Sequence, residues 1–87
     1  MKILISRRAE KQLADLGKVS RIIVDKRIRS LDSETSLYQE KKLSGYKNYF
    51  RTRVGDYRIV YKKTLAEIIV VLIGHRREIY RLLRDLL

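Results

Sequence analysis

What this chain lacks closes several kinds of chemistry to it. It has no cysteine, which removes disulfides and thiolate zinc sites. It has a single histidine, His75, and one histidine cannot make a zinc site. The acidic residues are scattered, and no glycine-rich phosphate loop is present. The apolar run Ile68 to Ile73 is far too short to span a bilayer. The opening Met1-Lys2-Ile3-Leu4-Ile5-Ser6 turns charged too soon for a signal peptide. There are no repeats, linkers or low-complexity segments. The expectation is a cytoplasmic protein with no metal or other cofactor. At 87 residues it is one domain, 1–87, without room for a second core.

Positive charge is abundant. The net charge is +11 and the pI near 10.3, which points to a polyanionic partner. The excess is uneven. Residues 1–40 carry 9 Lys/Arg against 6 Asp/Glu, whereas residues 41–87 carry 12 against 4. A merely solubilising surface is the blander reading, and an excess confined to one half weakens it. A membrane surface fits poorly, because no helix combines a basic face with exposed aromatics.

Apolar spacing organises the chain. Lys2 to Ile5 reads as a short strand, and Ser6 as the cap of a following helix. In that helix Ala9, Leu13 and Leu16 fall at i, i+4 and i+7, one buried stripe. Gly17 is expected to end it with a left-handed turn. A second helix, about Val19 to Leu31, places Val24, Ile28 and Leu31 inward with Ile23 beside them. The short Leu16-Gly17-Lys18 link makes the two an antiparallel hairpin. Residues 32–48, with Ser33, Ser36, Ser44 and Gly45, read mostly as loop. The period then becomes two. Phe50, Thr52 and Val54 alternate with Tyr49, Arg51 and Arg53, a tight turn falls at Gly55-Asp56, and Tyr57, Ile59 and Tyr61 alternate with Arg58, Val60 and Lys62. The continuous run Ile68 to Ile73 suits a strand covered on both faces. Ile79, Leu82, Leu83 and Leu86 mark an amphipathic C-terminal helix. The expected fold is α+β in the order β-α-α-β-β-β-α. A small antiparallel sheet carries the helical hairpin on one face, and the C-terminal helix follows.

Phe50, Thr52, Val54, Tyr57, Ile59 and Tyr61 should meet the hairpin. Arg51, Arg53 and Arg58 should then share the other face and leave it open. Like charges on neighbouring strands repel, so such a face calls for a bound anion. His75 and Arg76 follow the last strand and are expected at the edge of this cationic face, with Tyr80 near. The set suits a phosphodiester. Arginine forks clamp phosphate in a bidentate manner but are poor bases. Arg51, Arg53, Arg58 and Arg76 are therefore assigned to binding and charge stabilisation. His75 is the candidate for proton transfer, its pKa lowered by neighbouring cations. Tyr80 would stack on a base or bond a phosphate. Blander roles stand beside these: His75 as a turn or capping residue, and Tyr80 as cover for a helix–sheet junction. Lys41, Lys42, Lys47, Lys62, Arg77 and Arg81 would contact a further phosphate backbone, or be solvated charge. Lys62 and Lys63 would also protect an edge strand.

The segments Tyr49-Phe50-Arg51-Thr52-Arg53-Val54-Gly55-Asp56-Tyr57-Arg58-Ile59-Val60-Tyr61 and Gly74-His75-Arg76-Arg77-Glu78-Ile79-Tyr80 resemble the RelE/ParE superfamily of toxins from type II toxin–antitoxin systems. The lead-in Lys42-Leu43-Ser44-Gly45 fits as well, and the resemblance covers nearly the whole chain. It implies a RelE-like, microbial-RNase-type fold. For the RelE branch it implies ribosome-dependent cleavage of mRNA in the A site, by 2′-OH attack that leaves a 2′,3′-cyclic phosphate and a 5′-OH. The matching site positions are Arg51, Arg53, Arg58, Arg76 and Tyr80. Arg51 and Arg53 stand where well-known relatives carry lysines, so no tunable base lies on that strand.

The resemblance also implies partners: the ribosome with its mRNA, and a cognate antitoxin. The antitoxin is expected to engage Ile79, Leu82, Leu83 and Leu86, if the last helix exchanges rather than belonging permanently to the core. Two other functions remain open at this point. One is a ParE-like inhibitor of DNA gyrase. The other is a non-catalytic RNA- or ribosome-binding module.

Overall fold

The computed structural model describes residues 1–33 and 39–86. Strand β1 (Lys2–Ile5) leads into helices α1 (Arg7–Ala14) and α2 (Lys18–Arg29). Strands β2 (Glu40–Lys42), β3 (Tyr49–Val54), β4 (Tyr57–Lys63) and β5 (Glu67–His75) follow, and helix α3 (Ile79–Leu86) closes the chain. The α+β order is the expected one, with β2 added. Ser36 of the expected loop lies outside the described residues.

Local chemistry sets the boundaries. Ser6 caps α1, its hydroxyl accepting from the Ala9 N–H at 3.1 Å. The second helix runs without a proline or a glycine inside it, and buries Val24 and Ile28. Gly55 takes φ 59°, the left-handed value that a tight hairpin turn favours at its first central position, and Val54 pairs with Tyr57 across it. Gly17 departs from expectation. It has φ −58° and caps the start of α2, while α1 has already ended at Asp15.

The five strands lie in the order β1-β5-β4-β3-β2. Neighbours are antiparallel except β1, which pairs parallel with β5. Helices cover both faces. On the hairpin face Ile59, Tyr61, Ile68, Val70 and Ile73 pack against Ala9, Val24, Ile28 and Leu31. On the opposite face Val60 and Leu72 pack with Leu43 and with Ile79 and Leu83 of α3. Each fully buried Leu or Ile contributes about 1.5–3 kcal/mol relative to exposure. The expected covering of Ile68 to Ile73 on both sides follows from these two layers.

One irregularity governs the site. Val60 pairs with Leu72, but Tyr61 pairs with Val70, so Val71 is an extra residue on β5. A bulge of this kind shifts every following side chain to the other face. Val71 and Leu72 therefore both serve the α3 face. The bulge leaves backbone groups to satisfy: the Ile73 N–H donates to Gln12 Oε1 at 2.8 Å, and the Ser6 hydroxyl to the Val71 carbonyl at 3.3 Å.

Three further expectations are corrected. The arginine-bearing face is not wholly open, because α3 lies across part of it and leaves Arg51 only 7% exposed. The polar stretch expected as loop contributes strand β2. Its Glu40 carboxylate accepts from the Tyr61 hydroxyl and from Lys63 Nζ, each at 2.7 Å, and ties β2 to the sheet edge. Ile23, expected beside the buried stripe of α2, is half exposed.

Candidate functional site

The site is built from β3, β4 and the segment entering α3. Arg53 of β3 stands directly opposite Arg58 of β4, so both project from the α3 face. Arg51, two residues earlier, shares that face, and Lys41 of β2 sits opposite it. The Arg51 Nε donates to the Tyr80 hydroxyl at 3.4 Å. Tyr80 is exposed on its outer side, while its helix neighbours Ile79 and Leu83 anchor it from beneath. Gly74 makes the close approach possible: an added Cβ would stand 3.1 Å from both Ile79 Cδ1 and Leu82 Cδ1.

The β3–β4 turn holds two of the arginines. Arg58 Nη1 donates to the Gly55 carbonyl at 3.0 Å and to the Tyr57 carbonyl at 2.9 Å. The Arg76 N–H donates to the Asp56 carbonyl at 2.7 Å, and its Nε lies 3.7 Å from Asp56 Oδ1. Partial withdrawal from water, then Arg53 and then Arg51, hold the Arg58 guanidinium below the usual arginine range. Tyr80 opposes that shift, and Arg76 adds to it. The five groups are thus close enough to act on one another electrostatically.

Arg51 is the unusual member. Buried charges normally have an ion partner or a full set of hydrogen bonds. Among the described residues Arg51 is in no ion pair, and its one side-chain hydrogen bond is the long contact to Tyr80. Beside it opens a cleft of 270 Å³ that Lys41, Ser44, Tyr46 and Tyr80 help to line. The arrangement can take a phosphodiester, with guanidinium donors below and a phenol ring at the rim.

The structure does not bring His75 into this set. Its pairing partner is Tyr57, whose ring packs with the hairpin core, and the two rings meet edge to face at 6.0 Å. The bulge at Val71 is the cause. Straight alternation from Val70 would place residue 75 beside the arginines, and the extra residue turns it to the hairpin face. There His75 Nδ1 accepts from the Arg77 N–H at 3.2 Å, which is the blander turn role.

The remaining cations are dispersed. Lys62 lies over the Tyr49 ring at 5.9 Å. Arg81 pairs with Glu78 at 3.4 Å. Lys42 is exposed and helps line the cleft, whereas Lys47 and Arg77 are exposed and are not among its lining residues. Lys41 gains a place because β2 puts it opposite Arg51. Ile79 and Leu83 are 1% and 2% exposed, with Leu82 and Leu86 packed around them, so the apolar face of α3 is core in this structure rather than an offered surface. Sequence reasoning missed Tyr46 and Asp56 as parts of the site. Tyr46 depended on recognising β2, and Asp56 had been given only a turn role.

Fold and site together define a basic toxin domain. The chain belongs to the RelE/ParE superfamily of type II toxin–antitoxin toxins, and the family described as "ParE toxin of type II toxin-antitoxin system, parDE" matches residues 3–80. It is 48% identical over 40 residues to Toxin RelE3 of Methanocaldococcus jannaschii, a stretch that covers 46% of each chain and so under half of that relative's length. It is also similar to a chain of the RelB–RelE antitoxin–toxin complex from Methanococcus jannaschii. That match has 31% identity and a TM-score of 0.73, over 90% of this chain and 95% of the other. The isolated E. coli RelE toxin shares the fold at 23% identity and a TM-score of 0.69, over 99% and 98% of the two chains.

Proposed function

We propose that this toxin is a ribosome-dependent mRNA endoribonuclease, cutting in the A site by in-line 2′-OH attack. The buried Arg51 carries the reading: a guanidinium kept from water without an ion partner among the described residues is a prepared anion site. The 2′-oxygen bonds to phosphorus, the 5′-oxygen leaves, and the products are a 2′,3′-cyclic phosphate and a 5′-OH. Arg51, Arg53, Arg58 and Arg76 stabilise the charge that grows on the phosphorane oxygens. Tyr80 stacks against a splayed base. A hydrated proton serves the leaving 5′-oxygen. Water takes the 2′-OH proton, since the imidazole is on the other face. Lys41, Lys42, Lys47, Lys62, Arg77 and Arg81 add ribosomal phosphate contacts, and a cognate antitoxin holds the toxin inactive.

The test adds purified protein to ribosomes programmed with labelled mRNA, beside free RNA, and maps new 5′ ends by primer extension. New ends in the A-site codon, on ribosomes only and lost in Arg51→Ala and Tyr80→Ala, support the reading. Intact mRNA with retained ribosome binding refutes cleavage and leaves a non-catalytic ribosome-binding module. The family's ParE name favours a second reading, inhibition of DNA gyrase. Intact mRNA without ribosome binding, together with gyrase inhibition, would establish that one.

A further inference from the structure

The Arg51 cleft does not end at its own rim. A second, broader hollow of 510 Å³ adjoins it along the loop between β2 and β3. The two share Lys42, Leu43, Ser44 and Tyr46 as lining, so Tyr46 stands between them. Beyond it the second hollow is edged by Lys47, which is exposed. Among the described residues no acidic side chain lines either hollow.

The loop that carries Tyr46 is built rather than slack. Gly45 and Asn48 take left-handed φ values of 83° and 65°, which fold the chain back twice within four residues. The Leu43 N–H donates to the Tyr49 carbonyl at 2.9 Å, and the Lys63 N–H to the Asn48 carbonyl at 2.9 Å. Leu43 is buried beneath, in the layer that α3 covers. The Tyr46 ring meets the Tyr49 ring edge to face at 6.3 Å, and Tyr46 itself is half-buried. A ring held at its edge by a neighbour keeps its orientation before anything binds.

An oriented phenol between cations is the form that binds single-stranded nucleic acid, with a base on the ring and phosphate on the lysines. An acidic peptide would meet the charge but has no flat ring to lay on Tyr46. We propose that Tyr46 is the platform of a second nucleotide subsite, taking the base next to the one at Tyr80, with Lys42 and Lys47 on its phosphate. This rests on the reading that the Arg51 cleft takes an RNA phosphodiester. It adds the substrate's own backbone to the phosphates that Lys42 and Lys47 meet. The strand then runs from the arginine face along the β2–β3 loop.

The probe is a tetranucleotide of 2′-O-methyluridine, whose blocked 2′-oxygens prevent cleavage. Its control has the same phosphates but lacks the first and last bases. Titration calorimetry with the intact protein, at about 0.05 M salt, should show the full probe binding about 5- to 160-fold more tightly, the range of one stacked base. Tyr46→Phe keeps the ring and should keep this ratio. Tyr46→Leu keeps an apolar side chain without a ring face and should bring the ratio to within about twofold of one. Lys47→Gln, at an exposed position, should lower the slope of log affinity against log salt by about 0.7. A ratio near one in the intact protein overturns the proposal, as does a ratio that survives in Tyr46→Leu or is lost in Tyr46→Phe. An unchanged slope in Lys47→Gln overturns it as well. A glutamate peptide of equal charge that binds as tightly as the full probe would give the hollow to an acidic peptide instead. The ribosome assay is run in parallel on the intact protein. Base preference without mRNA cleavage would sink the nuclease reading and leave the subsite standing. Cleavage without base preference would do the reverse.

Discussion

Arg53 stands opposite Arg58 with its side chain exposed, and replacing it should make the fold more stable while impairing the toxin. Like charges directly opposite on antiparallel strands cost roughly 0.2–1 kcal/mol. Arg51 and Arg76 press on the same guanidinium, so relief at Arg53 reaches a whole cluster. Threonine suits a strand position in its own right. In a domain of this size about 1 kcal/mol moves the melting temperature by about 4–8 °C, so Arg53→Thr should raise it by roughly 1–8 °C. The gain is electrostatic and must respond to salt. The Debye length shrinks from about 30 Å at 0.01 M to about 3 Å at 1 M, and the difference between the two proteins should shrink with it. Scanning calorimetry of both at the two salt concentrations measures this. In the ribosome assay, removal of one donor from the phosphorane-stabilising set should cost about 10²–10³ in rate. A variant that melts below the parent at low salt would show that Arg53 is held by interactions other than repulsion. A gain indifferent to salt would assign it to strand propensity alone. Either result refutes the claim that this face is kept charged at the expense of stability.

Burial, then the hydrogen bond to Glu40 and that carboxylate's charge, push the Tyr61 phenol above the usual tyrosine range. The unfolded phenol ionises first, so this contribution is full below about pH 10 and falls as the pH rises beyond it. Urea titrations of the parent and Tyr61→Phe at neutral pH and above pH 10 should show the variant about 1–3 kcal/mol weaker at neutrality and losing less at the alkaline end. Gly74→Val should lower stability by about 1–3 kcal/mol, because its side chain enters the space of Ile79 and Leu82. It should also lower cleavage by lifting Tyr80, and unchanged melting and cleavage together would show that α3 does not need the close approach. His75→Gln should leave ribosomal cleavage within about twofold of the parent, since its ring faces the hairpin core; a loss of about 10² or more, the usual scale of a general base, would return proton transfer to the imidazole.

The parts of the fold that leave a local signature were legible. Strands β3 and β4 each have one face on the hairpin core, so their alternation named the inward residues from Phe50 to Tyr61. Helix α2 declared its inner face through Val24 and Ile28, with Leu31 just past its end, all buried. Strand β2 left no such trace. Its three residues are polar, and what ties Glu40 down is 21 and 23 residues away in Tyr61 and Lys63. The arginine set was legible because alternation predicts a shared face wherever the ladder is regular. His75 was misplaced because the ladder before it is not regular. Nothing in Ile68 to Ile73 marks Val71 as the extra residue, since a run apolar on both faces carries no alternation to interrupt. The bulge depends on Gln12 and Ser6, which lie near the other end of the chain.

Helix α3 belongs to the core and the site at once, and this constrains how the protein can be controlled. Ile79 and Leu83 complete the layer over Val60 and Leu72, and the next residue after Ile79 is the tyrosine that meets Arg51. A partner that took the apolar face of α3 would uncover Val60, Leu72 and Leu43, at about 1.5–3 kcal/mol for each side chain returned to water. It would also break the Arg51–Tyr80 contact and dismantle the cleft. Displacing α3 would therefore loosen the core and take apart the cleft in one step.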